Sequence, residues 1–354
     1  MAGFHSLKIK DIVRETDKAV SISFEIPDVL KKDFTFLPGQ YLSLKKLING
    51  EIVRRSYSIS STPSCNFLSV TVKELENGVF STYANRNLEI GDTLDVAFPE
   101  GRFVLDQKEK KTNSIVAFAA GSGITPIMSI IKTALTESDK LICTLVYGNK
   151  SPEETIFYKD LKSLSKAYDK RLQIEFVFSQ KKTSNSILGR IDRNNTKKIL
   201  KKINSNYNEN TSYFVCGPIG MINTVKNVLL SGGVPEDKIL YELFSEDANI
   251  TQNDIDKSTS NHPVDVTIVF EDEPKTIRTS SNKTILNAAL EHDIDVPYSC
   301  KGGVCSSCIC RVVEGSAEMK KNIILSENEV HEGLILSCQA VPTSEKIIID
   351  FDDV

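Results

Sequence analysis

Three cysteines lie within nine residues near the end of the chain, in the segment YSCKGGVCSSC (298–308). Cys300, Cys305 and Cys308 have the spacing C-x4-C-x2-C, and Cys338 follows after 29 intervening residues. Zinc ribbons usually present two C-x2-C pairs, whereas this spacing is the plant-type arrangement for a [2Fe–2S] cluster. The spacing therefore predicts that these four cysteines are the metal ligands, with zinc or unliganded thiols as the alternative.

The residues between these cysteines are small. Lys301-Gly302-Gly303 and Ser306-Ser307 leave room for backbone amides to approach the cluster sulfurs, which need N–H donors to moderate their charge. Cys310 lies two residues beyond the loop on a predicted strand, and we expect a buried thiol there rather than a fifth ligand.

A second group of candidates lies in RRSYSISS (54–61). Arginine can pair with a pyrophosphate, an aromatic ring can stack on a flavin, and a hydroxyl can reach the polar edge of the flavin ring. An exposed strand with an ordinary tyrosine is the alternative. Farther along, GVFS (78–81) predicts a helix start whose N–H groups could hold a phosphate. In the first segment, Arg55, Tyr57 and Ser58 are the candidates for these roles.

Two strand-to-helix turns form the third group. AAGSGITPIMSI (119–130) has a glycine turn where a phosphate-binding loop belongs, and VCGPIGMI (215–222) gives a second turn. A buried strand thiol is the alternative for Cys216. Residues 121–126 and 216–218 are therefore the two candidate nucleotide-binding turns. In FVFSQKK (176–182), Ser179 and either Lys181 or Lys182 could meet a 2′-phosphate, which predicts a preference for NADPH over NADH.

Composition limits the remaining classes. The 354 residues carry a net charge of −4, with no strongly basic region for nucleic acid and no apolar run long enough to cross a membrane. The chain opens without an apolar signal segment, so we expect a cytoplasmic protein with reduced thiols. Residues 263–354 hold 16 acidic and 8 basic side chains, a net charge of −8.

Strand and helix patterns predict several domains. Residues 1–108 contain repeated short strands typical of an antiparallel β-barrel, and 109–245 alternate strands and helices as in a parallel α/β domain. A polar linker is predicted at 246–262, and residues 263–354 are predicted to form a compact α+β domain.

Taken in order, R-x-Y-S, G-V-F-S, G-S-G-I-T-P and C-G-P resemble the motifs of the ferredoxin–NADP reductase superfamily over residues 7–245. The tail resembles a plant-type ferredoxin domain, which implies a β-grasp fold. The order of domains resembles the reductase components of bacterial multicomponent oxygenases. Among these components, the chain most resembles the reductase subunits of phenylacetyl-CoA epoxidases, which act in phenylacetate catabolism. The 3-ketosteroid hydroxylase reductases are near relatives in this resemblance.

This resemblance implies FAD on the barrel, NAD(P)H on the α/β domain and a [2Fe–2S] cluster in the tail. It also implies that Tyr57, Ser58, Cys216 and Glu242 line the site of hydride transfer, with Phe244 near the flavin. The FAD-binding residues that it implies are Arg55, Tyr57, Ser58, Val72, Lys73, Gly78, Val79, Phe80 and Ser81. The nucleotide-binding residues that it implies are Gly121, Ser122, Gly123, Thr125, Pro126, Cys216, Gly217 and Pro218. NAD(P)H gives up two electrons together and the cluster accepts one, so a flavin is needed between them. The expected function is electron transfer to an oxygenase or hydroxylase component. A general reductase or diaphorase, and a redox carrier or sensor, are the alternatives.

The acidic tail carries one further expectation. Its negative charge would favour loose electrostatic docking on the rest of the chain, which carries a net charge of +4, and the same acidic face could recognise a basic patch on the oxygenase component. Electron transfer to that partner would then slow as salt rises. A role of the acidic side chains in solubility alone is the alternative.

Overall fold

The computed structural model describes residues 3–105, 112–203, 210–244 and 262–354. The described chain forms two compact units, one covering His5–Leu243 and one containing the residues from Phe244 onward. The predicted linker at 246–262, apart from residue 262, and the predicted boundary at 108/109 lie outside the described residues. The boundaries between domains therefore stay predictions.

An antiparallel sheet opens the first unit, in the order β4-β3-β6-β1-β2-β5. A bridge between Ile59 and Val70 joins its two edge strands, so the sheet closes on itself as a barrel. Inward-facing side chains such as Leu7, Ile22 and Leu42 fill the core. The elements are β1 (His5–Thr16), β2 (Ala19–Glu25), β3 (Tyr41–Ile48), β4 (Glu51–Ser58), β5 (Leu68–Lys73), α1 (Val79–Arg86) and β6 (Thr93–Val96).

A six-stranded parallel sheet follows in the same unit, in the order β10-β9-β8-β7-β11-β12. The strand order reverses between β7 and β11, and such a switch point opens a crevice at the carboxyl ends of the strands. The elements are β7 (Ser114–Ala120), α2 (Ile124–Glu137), β8 (Ile142–Asn149), α3 (Tyr158–Ala167), β9 (Leu172–Phe178), β10 (Ser186–Leu188), α4 (Arg193–Ile203), β11 (Thr211–Cys216), α5 (Ile219–Ser231) and β12 (Ile239–Glu242).

The second unit is a mixed five-stranded sheet, β14-β13-β19-β15-β17, with a small β16-β18 pair beside it. Its helices are α6 (Ile285–Glu291) and α7 (Glu327–His331), and the cysteine loop leads directly into β15. The strands are β13 (Pro263–Phe270), β14 (Glu273–Ser280), β15 (Ile309–Glu314), β16 (Ala317–Met319), β17 (Leu334–Leu336), β18 (Ala340–Pro342) and β19 (Lys346–Asp350).

The fold class predicted from the sequence is confirmed in all three parts. In the first unit, the sequence patterns did not identify β4 and β10 as strands, and in the second unit they identified β13 and β15 but not β14 or β16–β19. In β4 the sequence EIVRRSYS carries two adjacent arginines, which interrupt the apolar alternation that marks a strand. Across the described ranges, no helix is long and apolar enough to cross a membrane.

Candidate active site and metal centre

The glycine turn after β7 is held against the turn after β11. Residues Gly121–Gly123 form a single 3₁₀ turn, and Gly121 adopts a positive φ of 55°. A Cβ atom on Gly123 would lie 2.1 Å from the carbonyl oxygen of Cys216. The two predicted nucleotide-binding turns therefore contact each other through backbone atoms, at the switch point of the parallel sheet.

Side chains from α2 and β8 fix this turn. The Thr125 hydroxyl donates to the Ser122 carbonyl oxygen at 3.1 Å, and Pro126 lies in the first helical turn, where its missing N–H costs no hydrogen bond. The buried Tyr147 hydroxyl donates to the Gly121 carbonyl oxygen at 2.9 Å. Tyr147 was not predicted as a site residue, because an aromatic residue in an apolar strand does not by itself indicate a binding site.

Ser58, Cys216 and Glu242 come together at one end of this crevice. Cys216 is fully buried and lies directly opposite Glu242 in the pairing of β11 with β12. The Ser58 hydroxyl, from the end of barrel strand β4, makes a long contact of 3.5 Å with the Glu242 carboxylate. Three residues predicted at the hydride-transfer site, from both sheets of the unit, thus share one location.

Burial sets the protonation of this group. Desolvation raises the pKa of the Glu242 carboxyl to about 8, and the Ser58 hydroxyl offsets part of the rise. Desolvation also raises the pKa of the Cys216 thiol well above its usual value, and the nearby Glu242 carboxylate raises it further. Near neutral pH both groups are protonated and uncharged, which suits a site that receives a hydride beside a flavin.

Tyr57 and Arg55 occupy the outer part of β4. Desolvation raises the Tyr57 pKa and the Arg55 guanidinium offsets part of that rise, so the two side chains lie close together. The Tyr57 ring lies 5.5 Å from the Phe80 ring, centroid to centroid. Arg55 is exposed and donates one hydrogen bond to the Arg54 carbonyl oxygen at 2.7 Å.

The predicted phosphate-binding helix start exists as α1, with Gly78 as its N-cap. Its first-turn amides have no intrahelical acceptors, as an anion site requires. Val79 is 47% exposed, whereas Ser81 is buried. The Ser81 hydroxyl accepts from the Leu75 N–H at 3.1 Å and donates to the Gly78 carbonyl oxygen at 3.3 Å, so it stabilises the turn before the helix.

Strand β5 brings two more predicted residues to the same region. Val72 is fully buried, and its carbonyl oxygen accepts from the Asn85 amide at 3.1 Å. The Lys73 ammonium reaches the glycine turn, 3.4 Å from the position that a Cβ on Gly121 would take. Desolvation lowers the Lys73 pKa. A cation from the barrel thus borders the predicted phosphate-binding turn.

The predicted 2′-phosphate residues lie at the carboxyl end of β9. The half-buried Ser179 donates through its hydroxyl to the Asn149 carbonyl oxygen at 3.4 Å. Lys181 forms an ion pair with Glu153, which lowers the Glu153 pKa to about 2. Lys182 is exposed. Glu153 was not predicted as a site residue. The only feature of the sequence that could have indicated it is the acidic pair in the SPEE segment after β8.

Phe244 follows β12, is 37% exposed and belongs to the second compact unit. Its predicted position near the flavin stays a prediction.

In the second unit, the four predicted ligands form two pairs of thiols. The Cys305 thiol donates to the Cys300 sulfur at 3.1 Å, and Cys308 makes the same kind of contact with Cys338. Among the residues that the structure describes, no three Cys, His, Asp or Glu side chains converge on the position of a single ion. Two pairs suit a two-iron cluster, because each iron takes two thiolates besides the bridging sulfides.

Hydrogen bonds favour the charged form of one thiol in each pair. The hydrogen bond from Cys305, together with N–H groups of Gly302, Val304 and Cys305, lowers the Cys300 pKa to about 6. The Gly302 amide lies 3.3 Å from the Cys300 sulfur. The hydrogen bond from Cys308 likewise lowers the Cys338 pKa, whereas these bonds and burial raise the pKa of the two donors, Cys305 and Cys308. The loop therefore supplies backbone N–H donors of the kind that cluster sulfurs need.

Cys310 is fully buried on β15, with its sulfur 3.9 Å from the Ile335 carbonyl oxygen. Desolvation raises its pKa, which disfavours the thiolate. Its exclusion from the ligand set stays a prediction that these contacts support.

Three family models match the chain in order. They describe an oxidoreductase FAD-binding domain at residues 6–105, an oxidoreductase NAD-binding domain at 118–227 and a 2Fe-2S iron-sulfur cluster binding domain at 269–343. The chain thus carries binding domains for FAD, a pyridine nucleotide and a [2Fe–2S] cluster. Nothing in these models distinguishes NADPH from NADH.

Similar proteins align over nearly the whole length. One of the subunits of 1,2-phenylacetyl-CoA epoxidase from Escherichia coli is 35% identical over 99% of both chains. The ferredoxin reductase component of 3-ketosteroid-9-alpha-monooxygenase from Rhodococcus rhodochrous is 32% identical, covering 98% of this chain and 96% of that one. The glycine betaine monooxygenase reductase subunit of Chromohalobacter salexigens is 28% identical, covering 99% and 96%.

Solved structures show the same fold. Phthalate dioxygenase reductase, described as a modular structure for electron transfer from pyridine nucleotides to [2Fe–2S], matches with a TM-score of 0.61 at 22% identity, over 99% of this chain and 98% of that one. An intact type IV self-sufficient cytochrome P450 monooxygenase matches with a TM-score of 0.70 at 19% identity, over 98% of this chain and 41% of that one. Because its three domains match these families in order and a relative aligns along its whole length, the chain belongs to the ferredoxin–NADP reductase superfamily. Within that superfamily it belongs to the NAD(P)H-dependent oxygenase reductases with a C-terminal [2Fe–2S] domain.

Proposed function

We propose that this chain is the reductase component of a phenylacetyl-CoA epoxidase and carries electrons from NADPH to that oxygenase. The convergence of Ser58, Cys216 and Glu242 carries the proposal, because it joins the end of a barrel strand to the crevice of the nucleotide-binding sheet. The 35% identity, along the whole chain, to a component of such an epoxidase supports the choice of oxygenase.

The barrel residues would hold FAD, which supplies the step between two-electron and one-electron transfer. We assign the pyrophosphate to Arg55 and to the first-turn amides of α1, where Val79 is exposed. Tyr57 would stack on the flavin ring, and Ser58 would hydrogen-bond its polar edge. Lys73 would lie between the flavin site and the phosphates of the nucleotide, because its ammonium borders Gly121.

The parallel sheet would hold the nucleotide at its switch point. Gly121–Gly123 would bind phosphate through backbone N–H groups, and Cys216 would lie beside the nicotinamide. Glu242, protonated up to about pH 8, would face the flavin without placing a negative charge next to an incoming hydride.

Cys300, Cys305, Cys308 and Cys338 would hold the cluster as two pairs. All eight cysteines are free thiols in the structure, and four must stay unpaired to bind iron. A reducing, cytoplasmic setting suits that requirement.

The purified protein tests this function with two measurements. Anaerobic NADPH should bleach the flavin bands and then the cluster bands, and adding the oxygenase components of phenylacetyl-CoA epoxidase should give epoxide product. The matched control replaces those components with the oxygenase of 3-ketosteroid-9-alpha-monooxygenase. Product with the steroid oxygenase alone would reassign the partner, and a cluster that NADPH never reduces would reject the electron-transfer role.

The preference for NADPH rests on Ser179, Lys181 and Lys182. The Lys181–Glu153 ion pair offsets part of the lysine's charge, so we propose a modest preference for NADPH. Glu153→Gln should raise the ratio of kcat/KM for NADPH to kcat/KM for NADH several-fold, because the substitution frees the Lys181 ammonium. Lys181→Ala should lower the same ratio. Lys197→Ala, which removes an exposed lysine on helix α4 outside this group, is the matched control. Equal kcat/KM for both nucleotides in all four proteins would refute a 2′-phosphate site here.

A further inference from the structure

The charge around the cysteine loop is opposite to that of its domain. Residues 263–354 carry a net charge of −8, yet three of their eight basic side chains are Lys301, Lys320 and Lys321. The three segments that surround the thiols are 296–308, 319–325 and 334–344. They contain these three lysines and no acidic residue.

Hydrogen bonds tie two of the lysines to the ligand loop. Lys301 follows Cys300 directly, is exposed and places its ammonium 4.7 Å from the centre of the Tyr298 ring. Gln339, next to Cys338, donates through its side-chain amide to the Lys301 carbonyl oxygen at 3.0 Å. The Lys320 N–H in turn donates to the Gln339 carbonyl oxygen at 3.0 Å. Exposed Lys301 and Lys320 thus border the same part of the loop.

Lys321 completes this group, which we call the lysine rim. Its carbonyl oxygen lies 3.1 Å from the position that a Cβ on Gly303 would take, so its backbone lies against the loop. Its half-buried side chain interacts electrostatically with the predicted ligand Cys338. By contrast, the acidic Asp350 interacts electrostatically with Cys310, which we do not expect to bind the cluster.

An electron leaves the cluster where a partner approaches closely, so the local charge matters more than the domain average. Exposed charges are screened over about 10 Å at 0.1 M salt, whereas a domain of this size has a radius of gyration of roughly 12 Å. Acidic side chains on the far side of the domain therefore contribute little to a contact over the loop. The rim lysines would lie in that contact.

We propose that the lysine rim is the docking surface for the protein that accepts the electron, and that this acceptor presents acidic side chains around its own redox centre. The proposal rests on the proposed function, because it assumes delivery to a protein partner. It differs from the expectation drawn from net charge, in which an acidic domain meets a basic patch. One electron passes from the reduced cluster to one oxidised acceptor centre, with no bond made or broken.

Two haem proteins of opposite charge serve as probes, with the full-length, cofactor-loaded protein. Cytochrome b5 is negatively charged around its haem edge, and cytochrome c is positively charged. Titration calorimetry gives the Kd for each at about 20 mM and about 200 mM NaCl. NADPH-driven reduction of each cytochrome provides the second readout.

The variant K301E/K320E reverses two exposed rim charges, and K275E/K346E reverses two exposed charges on strands β14 and β19. Both pairs change net charge equally. We expect K301E/K320E to weaken cytochrome b5 binding at least about tenfold at low salt, with less than a twofold change for the control pair. Cytochrome c should bind the rim variant no more weakly than the wild type.

Equal losses in both variants would show that net charge alone acts and would overturn the proposal. So would tighter cytochrome b5 binding by the rim variant. Flavin and cluster spectra, and their bleaching by NADPH, are recorded for every variant. If NADPH does not bleach the bands of the wild-type protein, the electron-transfer function is rejected. The Kd values test separately whether the lysine rim is the docking surface.

Discussion

Replacing Gly123 with alanine tests whether contact between the two phosphate-side turns sets the rate of hydride transfer. Gly123 has φ −61° and ψ −6°, a conformation that alanine adopts readily, so backbone strain does not contribute. The new Cβ would lie 2.1 Å from the Cys216 carbonyl oxygen, 2.5 Å from its carbonyl carbon and 3.0 Å from the Gly217 nitrogen. All three are backbone atoms and cannot rotate away.

The size of the effect follows from these distances. A normal carbon–oxygen contact requires the turns to separate by about 1 Å, which moves Cys216 relative to the phosphate-binding turn. A misplacement of about 1 Å costs on the order of 100-fold in rate. The added methyl should also lower the free energy of unfolding by about 1–3 kcal/mol, as overpacking does.

The assay is stopped-flow reduction of the flavin by NADPH, with flavin and cluster spectra as checks on folding. The matched control is Gly220→Ala, in the first turn of helix α5, where a new Cβ meets nothing within 4 Å. It should retain wild-type rates and gain up to about 1 kcal/mol of stability. Flavin reduction in Gly123→Ala within about threefold of the wild type, at an unchanged Tm, would refute the reasoning.

Two further predictions concern the cluster and the buried carboxyl. Cys338→Ser should abolish or strongly perturb the cluster bands and leave flavin reduction intact, whereas Cys310→Ser should keep the cluster; the opposite result in visible spectra would reverse the ligand assignment. Glu242 has a pKa of about 8 against a usual 4.5, so the folded protein retains a proton that the unfolded chain releases. The Tm of the wild type should therefore fall relative to Glu242→Gln as pH rises from about 4.5 to about 8 and level off above, and parallel Tm profiles would contradict the assignment.

The sequence determined the features that depend on short, contiguous patterns. The C-x4-C-x2-C spacing indicated the cluster type because all three cysteines belong to one loop. Glycine turns between strand and helix patterns led to the prediction of phosphate-binding positions, which stays a prediction. Apolar alternation and helical periodicity predicted a barrel, a parallel α/β domain and a compact α+β domain, and the β-grasp fold of the last followed from its resemblance to ferredoxins. These signals are local, so they can be read without knowing which strands are neighbours.

Only the tertiary structure decided which distant residues meet. Ser58 and Glu242 are 184 residues apart, and the contact between them depends on how the barrel lies against the parallel sheet. The Glu153–Lys181 pair joins the segments that follow β8 and β9, and the Tyr147–Gly121 hydrogen bond joins β8 to the turn after β7. Composition did not predict the positive charge around the cysteine loop, because Lys320 and Lys321 are distant from the loop in sequence and lie beside it only in the folded domain. Long-range packing fixes such contacts, and no periodicity along the chain records them.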